Sequence, residues 1–169
     1  ARGWIDAARV GGWLRHPYLR RRPPQSTGRE LFGEAFWQRE IVSPRRARLE
    51  RDDLMATLSG FTARSVALAY DRFVRRADGA FPDTVLLCGG GASNPVLREH
   101  LDAALSEQAP AVRVLTVDER GWPRQTVEAA AFALLAHYRL SGWPANLPET
   151  TGARHPVLLG QITGMLGRR

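Results

Sequence analysis

The stretch from Thr84 to Leu105 constrains the fold more than any other part of the chain. Thr84-Val85-Leu86-Leu87-Cys88 is a short apolar run, the pattern of a strand buried on both faces. Gly89-Gly90-Gly91 follows at once, and Asn94-Pro95 then supplies a good N-cap and a good first helical residue. Leu97, Leu101 and Leu105 recur every four residues and give that helix a buried stripe. Val112-Arg113-Val114-Leu115-Thr116-Val117 reads as a second strand. Val127, Ala130, Ala131, Leu134 and Tyr138 mark a last long helix, stopped by Ser141-Gly142-Trp143-Pro144. Right-handed crossovers make such β–α–β units part of a parallel sheet. The class is therefore α/β, with strands near 84–88 and 112–117 flanked by long helices. Two strands fall short of the roughly five or six of a usual sheet. Either further strands are hidden in the chain, or it is part of a larger α/β protein.

Upstream the patterns are helical. Trp4, Ile5, Ala8, Gly12 and Leu14 suggest a helix ending before Pro17. Thr27 and Glu30 have the spacing of a capping box ahead of a short helix over 31–39, which should carry Phe32, Phe36 and Trp37 into the core. Asp52 and Asp53 stand as N-caps of a long helix from Asp53 to Arg76, buried through Leu54, Leu58, Phe61, Ala69 and Phe73. Gly79 is suited to close it.

With 169 residues, 44% of them hydrophobic, the chain can enclose one core. No run approaches the ~18 apolar residues of a membrane helix, and no signal segment opens the chain. All 24 basic residues are Arg, with no Lys, and the formal net charge is +7. The densest runs, Arg20-Arg21-Arg22, Arg45-Arg46-Arg48 and Arg75-Arg76, are short and scattered, without the interleaved aromatics of a single-strand-binding surface. They read as solvated loops and helix ends, so neither nucleic acid nor membrane is expected as a partner. One cysteine, Cys88, excludes an internal disulfide and a multi-cysteine metal site. It reads as a small buried hydrophobe beside the glycines and suits a reducing, cytoplasmic setting. His16, His100, His137 and His155 lack metal-ligand spacing.

A strand, a glycine turn and a helix bring backbone N–H groups to a ligand, and glycine lets the main chain approach it without a Cβ in the way. The turn is not G-x-G-x-x-G, and without Lys it is no P-loop. On these residues alone it is either a nucleotide site or a tight turn that needs glycine. Asn94 either bonds a ligand or only caps its helix.

The ordered motifs decide more. Cys88-Gly89-Gly90-Gly91-Ala92-Ser93-Asn94-Pro95-Val96-Leu97 is similar to the C-G-G-G-A-x-N-x-x-L signature of the anhydro-N-acetylmuramic acid kinase family. Pro24-Gln25-Ser26-Thr27-Gly28-Arg29-Glu30-Leu31-Phe32 resembles its P-K-S-T-G-R-E-x-F. The run from Asp53 to Ala63 resembles its D-x-x-A-T-L-x-x-x-T-A helix, Glu128 to Ala133 its E-A-x-A-F-A, and Pro148 to Ala153 its closing P-x-x-T-G-A. The resemblance is ordered and covers most of the chain.

It implies the C-terminal lobe of an actin-like ATPase (RNase H-like) fold, residues 1–169, with the N-terminal lobe absent from the chain. It also implies an ATP-dependent kinase that converts 1,6-anhydro-N-acetylmuramic acid plus water to N-acetylmuramic acid 6-phosphate in peptidoglycan recycling. Gly89, Gly90, Gly91 and Asn94 would form this lobe's wall of the ATP site, with Mg2+ accompanying the phosphates. Glu128 would face the sugar, or merely be a carboxylate suited to a helix N-terminus. The partners implied are the sugar and the N-terminal lobe; a homodimer stays open.

The family's D-G-T-S-type phosphate hairpin is not found here, nor is its D-x-G-P-G-N segment with the general-base aspartate. No catalytic residue is therefore expected in this chain, which alone should be inactive. Gln25 stands where the motif has lysine. Ser26, Thr27, Arg29 and Glu30 either close over ligand or only order their own turn. Asp118 and Glu119 follow the second strand, where α/β folds place ligands, but acids in loops more commonly have no such role, and that is the expected reading. Thr150-Thr151-Gly152 either borders the cleft or is only a turn. The alternative is an inactive stand-alone nucleotide-binding module of the same fold.

Overall fold

The computed structural model describes residues 3–43 and 48–163, so Arg45 and Arg46 of one arginine run lie outside the described residues. Helix α1 (Ala7–Leu14) begins at Asp6, whose carboxylate accepts from Arg9 N at 2.9 Å. Because the helix starts only there, the inward face is Val10 and Trp13, while Trp4 and Ala8 are exposed. This corrects the expected Trp4–Ala8 face.

The helix expected over 31–39 is broken. Arg29–Phe32 (α2) and Glu34–Trp37 (α3) meet at Gly33, and the chain continues in a wide π turn through Gln38–Val42. A Cβ on Gly33 would land on the Arg29 carbonyl, so only glycine fits this tight joint. Phe32 and Phe36 join Trp13 and Phe61 in an aromatic cluster with ring centroids 5.4–6.1 Å apart. Trp37, expected inside, is exposed.

Helix α4 (Arg51–Ala69) runs on through a π turn at Tyr70–Val74, close to the expected length. Its N-cap is Glu50. Asp52 and Asp53 lie in the first turn instead, where negative charge suits the helix dipole. The fully buried positions are small residues, Ala56, Thr57, Gly60, Ala63 and Ala67, while the expected Leu54, Leu58 and Phe61 are half-buried, Phe61 within the aromatic cluster. Small side chains let the neighbouring segments come close. A Cβ on Gly60 would sit 2.9 Å from Ile5 Cδ1.

Strand β1 (Thr84–Leu87) crosses over through α5 (Pro95–Ser106) to β2 (Arg113–Thr116), and the two strands pair in parallel, Thr84 with Arg113 through Leu87 with Thr116. One core of Ala63, Ala67, Val85, Leu101, Ala104, Leu105 and Val112 joins α4, α5 and the sheet. β1 is covered on one face only: Leu86 is 48% exposed, against the expectation of burial on both. Helix α6 (Val127–Leu140) buries none of its residues, and Phe132 on it is 72% exposed. A short α7 (Pro148–Thr151) follows. The architecture is mixed α/β, with a small parallel sheet and many helices. No helix among the described residues is long and apolar enough to cross a membrane.

Candidate functional site

Parallel pairing places the turn after β1 and the turn after β2 at the same end of the sheet, where α/β folds bind ligands. Gly89 leaves β1 with φ 75° and ψ −177°, a conformation open in practice only to glycine. Gly90–Ser93 then makes a single 3-10 turn, with Ala92 N donating to Gly89 O at 3.2 Å and Asn94 N to Gly91 O at 3.1 Å. A Cβ on Gly89 or Gly90 would meet no atom within 4 Å, so the turn borders open space. Ala92 is its buried anchor.

Asn94 is the N-cap of α5: its Oδ1 accepts from Val96 N at 3.0 Å and Leu97 N at 3.3 Å. That leaves the side-chain amide N–H groups without an acceptor among the described residues. Asn94, Val96 and Leu97 line one wall of a groove of about 490 Å³. Asp52, Met55, Ser59 and Thr62 of α4 line the other. In the sequence Asp52 reads only as an N-cap, and Met55, Ser59 and Thr62 only as part of a motif helix; their spacing of three, four and three residues marks one helix face. Cys88, expected buried, is exposed at the turn.

The acids after β2 are occupied. Glu119 Oε1 accepts from Thr116 N at 2.8 Å and Thr116 Oγ1 at 3.0 Å. The main-chain bond, then the hydroxyl bond, holds its carboxyl below the ordinary value of 4.5. Asp118 Oδ1 accepts from Arg124 N at 3.3 Å, and its Oδ2 lies 3.3 Å from Arg124 Nη1. Gly89 N in turn donates to Arg124 O at 3.2 Å. Arg124, which no sequence motif marks, thus ties the second turn to the first through its main chain. Glu128 stands four residues further on, in the first turn of α6, exposed and with no side-chain bond among the described residues.

The 24–33 segment is a separate neighbourhood. The capping box expected of Thr27 and Glu30 is not made: Gly28, not Thr27, is the N-cap, and no side chain caps the helix. Glu30 Oε1 accepts from Gly28 N at 2.7 Å and Thr27 Oγ1 at 3.1 Å. Its own main-chain N–H, then that of Gly28, then the Thr27 hydroxyl hold the Glu30 carboxyl below 4.5. The Ser26 and Arg29 side chains make no bond among the described residues. Pro24 lies against Gly152, where a Cβ would come 3.5 Å from Pro24 Cγ. The structure thus brings the 24–33 and 148–153 motifs together, and no hydrogen bond among the described residues links either to the glycine turn.

Open space, free amide donors and an adjoining groove fit a nucleotide at this end of the sheet. The described residues contain no cluster of three or more His, Cys, Asp or Glu able to hold a metal ion.

Comparison with known proteins bears on the same residues. A family model described as anhydro-N-acetylmuramic acid kinase matches residues 1–165. Proteins named anhydro-N-acetylmuramic acid kinase are similar to the chain throughout. That of Gloeobacter violaceus is 46% identical over 160 residues, covering 95% of this chain and 40% of the relative. That of Microcystis aeruginosa is 43% identical over 162 residues, 96% and 41%. That of a Cyanothece species is 42% identical over 162 residues, 96% and 40%. The chain thus spans about 40% of the length of these relatives.

Proposed function

The chain belongs to the anhydro-N-acetylmuramic acid kinase family, and from that membership we propose that it is the C-terminal lobe of an actin-like, ATP-dependent sugar kinase. The reaction is conversion of 1,6-anhydro-N-acetylmuramic acid and water to N-acetylmuramic acid 6-phosphate, in recycling of peptidoglycan in the cytoplasm. The general base and the phosphate hairpin belong to the remaining part of such a kinase. The half-covered β1 and the uncovered α6 support a chain that packs against further polypeptide, since apolar surface of this kind marks an interface.

The observation that carries the reading is the glycine turn itself. The family motif falls at the carboxyl end of β1, beside open space, with Asn94 presenting amide donors that have no acceptor among the described residues next to the groove. Gly89, Gly90, Gly91 and Asn94 bind ATP, the base lying toward the groove. Bound ATP supplies the phosphoryl group. Any Mg2+ would accompany its phosphates. Glu128, exposed and with no side-chain bond among the described residues, faces the sugar and orients its reacting hydroxyl or water.

Cys88 gives the test, because it is exposed next to Gly89 and is the chain's one cysteine. Alkylation of Cys88 in the complete kinase is followed by peptide mass spectrometry. ATP and ADP should slow it, and the sugar alone should not. An alkylation rate unchanged at saturating ATP would overturn the assignment.

A further inference from the structure

We infer that Asp118 is a positioning residue for the glycine turn, acting on the nucleotide through Arg124 and not by contact. The inference rests on the nucleotide-site reading and adds a residue to it. In sequence Asp118 is one of two loop acids in a place where ligands bind, but in the structure both of its carboxylate oxygens are already committed. One takes the Arg124 main-chain N–H at 3.3 Å, and the other faces the Arg124 guanidinium at 3.3 Å. Arg124 is thus the partner that the described residues give this carboxylate.

What it does instead follows from covalent geometry. The N–H and the C=O of Arg124 flank a single Cα, so fixing the first restricts the second. The second is the acceptor of the Gly89 N–H, at 3.2 Å. Gly89 has φ 75°, a conformation with no side chain to lock it by packing, so its orientation depends on such external bonds. The loop can fold back because Gly121, between Asp118 and Arg124, turns the chain with φ 82° and donates its N–H to Asp118 O at 3.0 Å. The path from Asp118 through Arg124 to Gly89 crosses from the second turn to the first, and the turn it holds is the proposed wall of the ATP site. The neighbouring Glu119 acts elsewhere, closing the capping box on Thr116 at the end of β2.

The test is steady-state kinetics of the complete kinase carrying Asp118→Ala, with ATP and the sugar varied separately. Loss of a charge-assisted bond that aims the turn should raise KM for ATP about tenfold, leave KM for the sugar unchanged and keep kcat near its original value. A purely structural role would instead lower the melting temperature and the active fraction, with both KM values unmoved. Asp118→Asn keeps an acceptor for the Arg124 N–H and loses the charge, so it should recover most of the ATP affinity, with KM raised only about threefold. An unchanged KM for ATP in Asp118→Ala overturns the proposal. Where the alanine variant does not fold, an unchanged KM in Asp118→Asn overturns it equally. If ATP fails to protect Cys88 in the unaltered kinase, the nucleotide-site reading falls and takes this one with it. If ATP protects Cys88 there and KM is indifferent to Asp118, only this inference falls.

Discussion

Two adjacent glycines should respond to the same substitution with opposite signs. Gly89 has φ 75° and ψ −177°, and Gly90 has no positive φ. Neither has an atom within 4 Å of where a Cβ would stand, so in both cases the stability change comes from the backbone alone. Gly89→Ala forces a side chain into a glycine-only region, at a cost of about 1–3 kcal/mol. For a chain of this size that lowers Tm by roughly 2–12 °C. Gly90→Ala places alanine in an ordinary turn conformation and reduces unfolded-chain freedom, a gain of about 0.4–1 kcal/mol. Its methyl group nevertheless projects into the space assigned to the nucleotide. Gly90→Ala should therefore melt no lower than the unaltered chain while losing ATP affinity, read by thermal melting and by nucleotide titration of the complete kinase. If Gly90→Ala destabilises as much as Gly89→Ala, the backbone argument is wrong. If it binds ATP unchanged, the ligand is elsewhere.

Other consequences follow from the same contacts. Glu119 has its carboxyl held below 4.5 by Thr116, so its stabilising contribution is present above the unfolded-state value and disappears as pH falls through the lower folded-state value. The Tm gap between the unaltered chain and Glu119→Gln should be constant from neutral pH down to the ordinary carboxylate range and close below it; a gap that persists in strong acid would contradict this. Leu105 is 0% exposed in the core under the sheet, so Leu105→Ala should cost about 2–5 kcal/mol in urea unfolding. Phe132→Ala on uncovered α6 should change the stability of this chain by no more than about 0.5 kcal/mol, and a cost like that of Leu105 would show that α6 is packed in solution.

The β–α–β unit was legible because its signals agree: an apolar run of strand length, glycines where the chain reverses, an N-cap followed by proline, and leucines every four residues. Each is enforced locally. The face of α4 was not legible for the opposite reason. Large apolar residues suggested Leu54, Leu58 and Phe61, which are half-buried, but helices approach most closely where side chains are small, and Ala56, Gly60, Ala63 and Ala67 are the fully buried positions. Leu86 and, on the α6 stripe, Leu134 look like core in sequence and lie exposed, because periodicity reports that a face is apolar and not what covers it. The glycines and Asn94 were readable as a strand–turn–helix unit. Arg124 was not, since it acts through a carbonyl that every residue possesses. Asp118 and Glu119 could be located by their place after β2, but only their hydrogen bonds separate a clamp and a cap from ligand groups.

The central claim is that this chain completes the ATP site of an anhydro-sugar kinase. The direct measurement is turnover by the chain combined with the N-terminal part of the enzyme, given ATP, Mg2+ and 1,6-anhydro-N-acetylmuramic acid, with the product identified by mass spectrometry. The account predicts N-acetylmuramic acid 6-phosphate from the mixture and from the complete protein, none from this chain alone, and slower formation with Glu128→Ala. A folded complete protein that forms no such product from ATP and this sugar would contradict it.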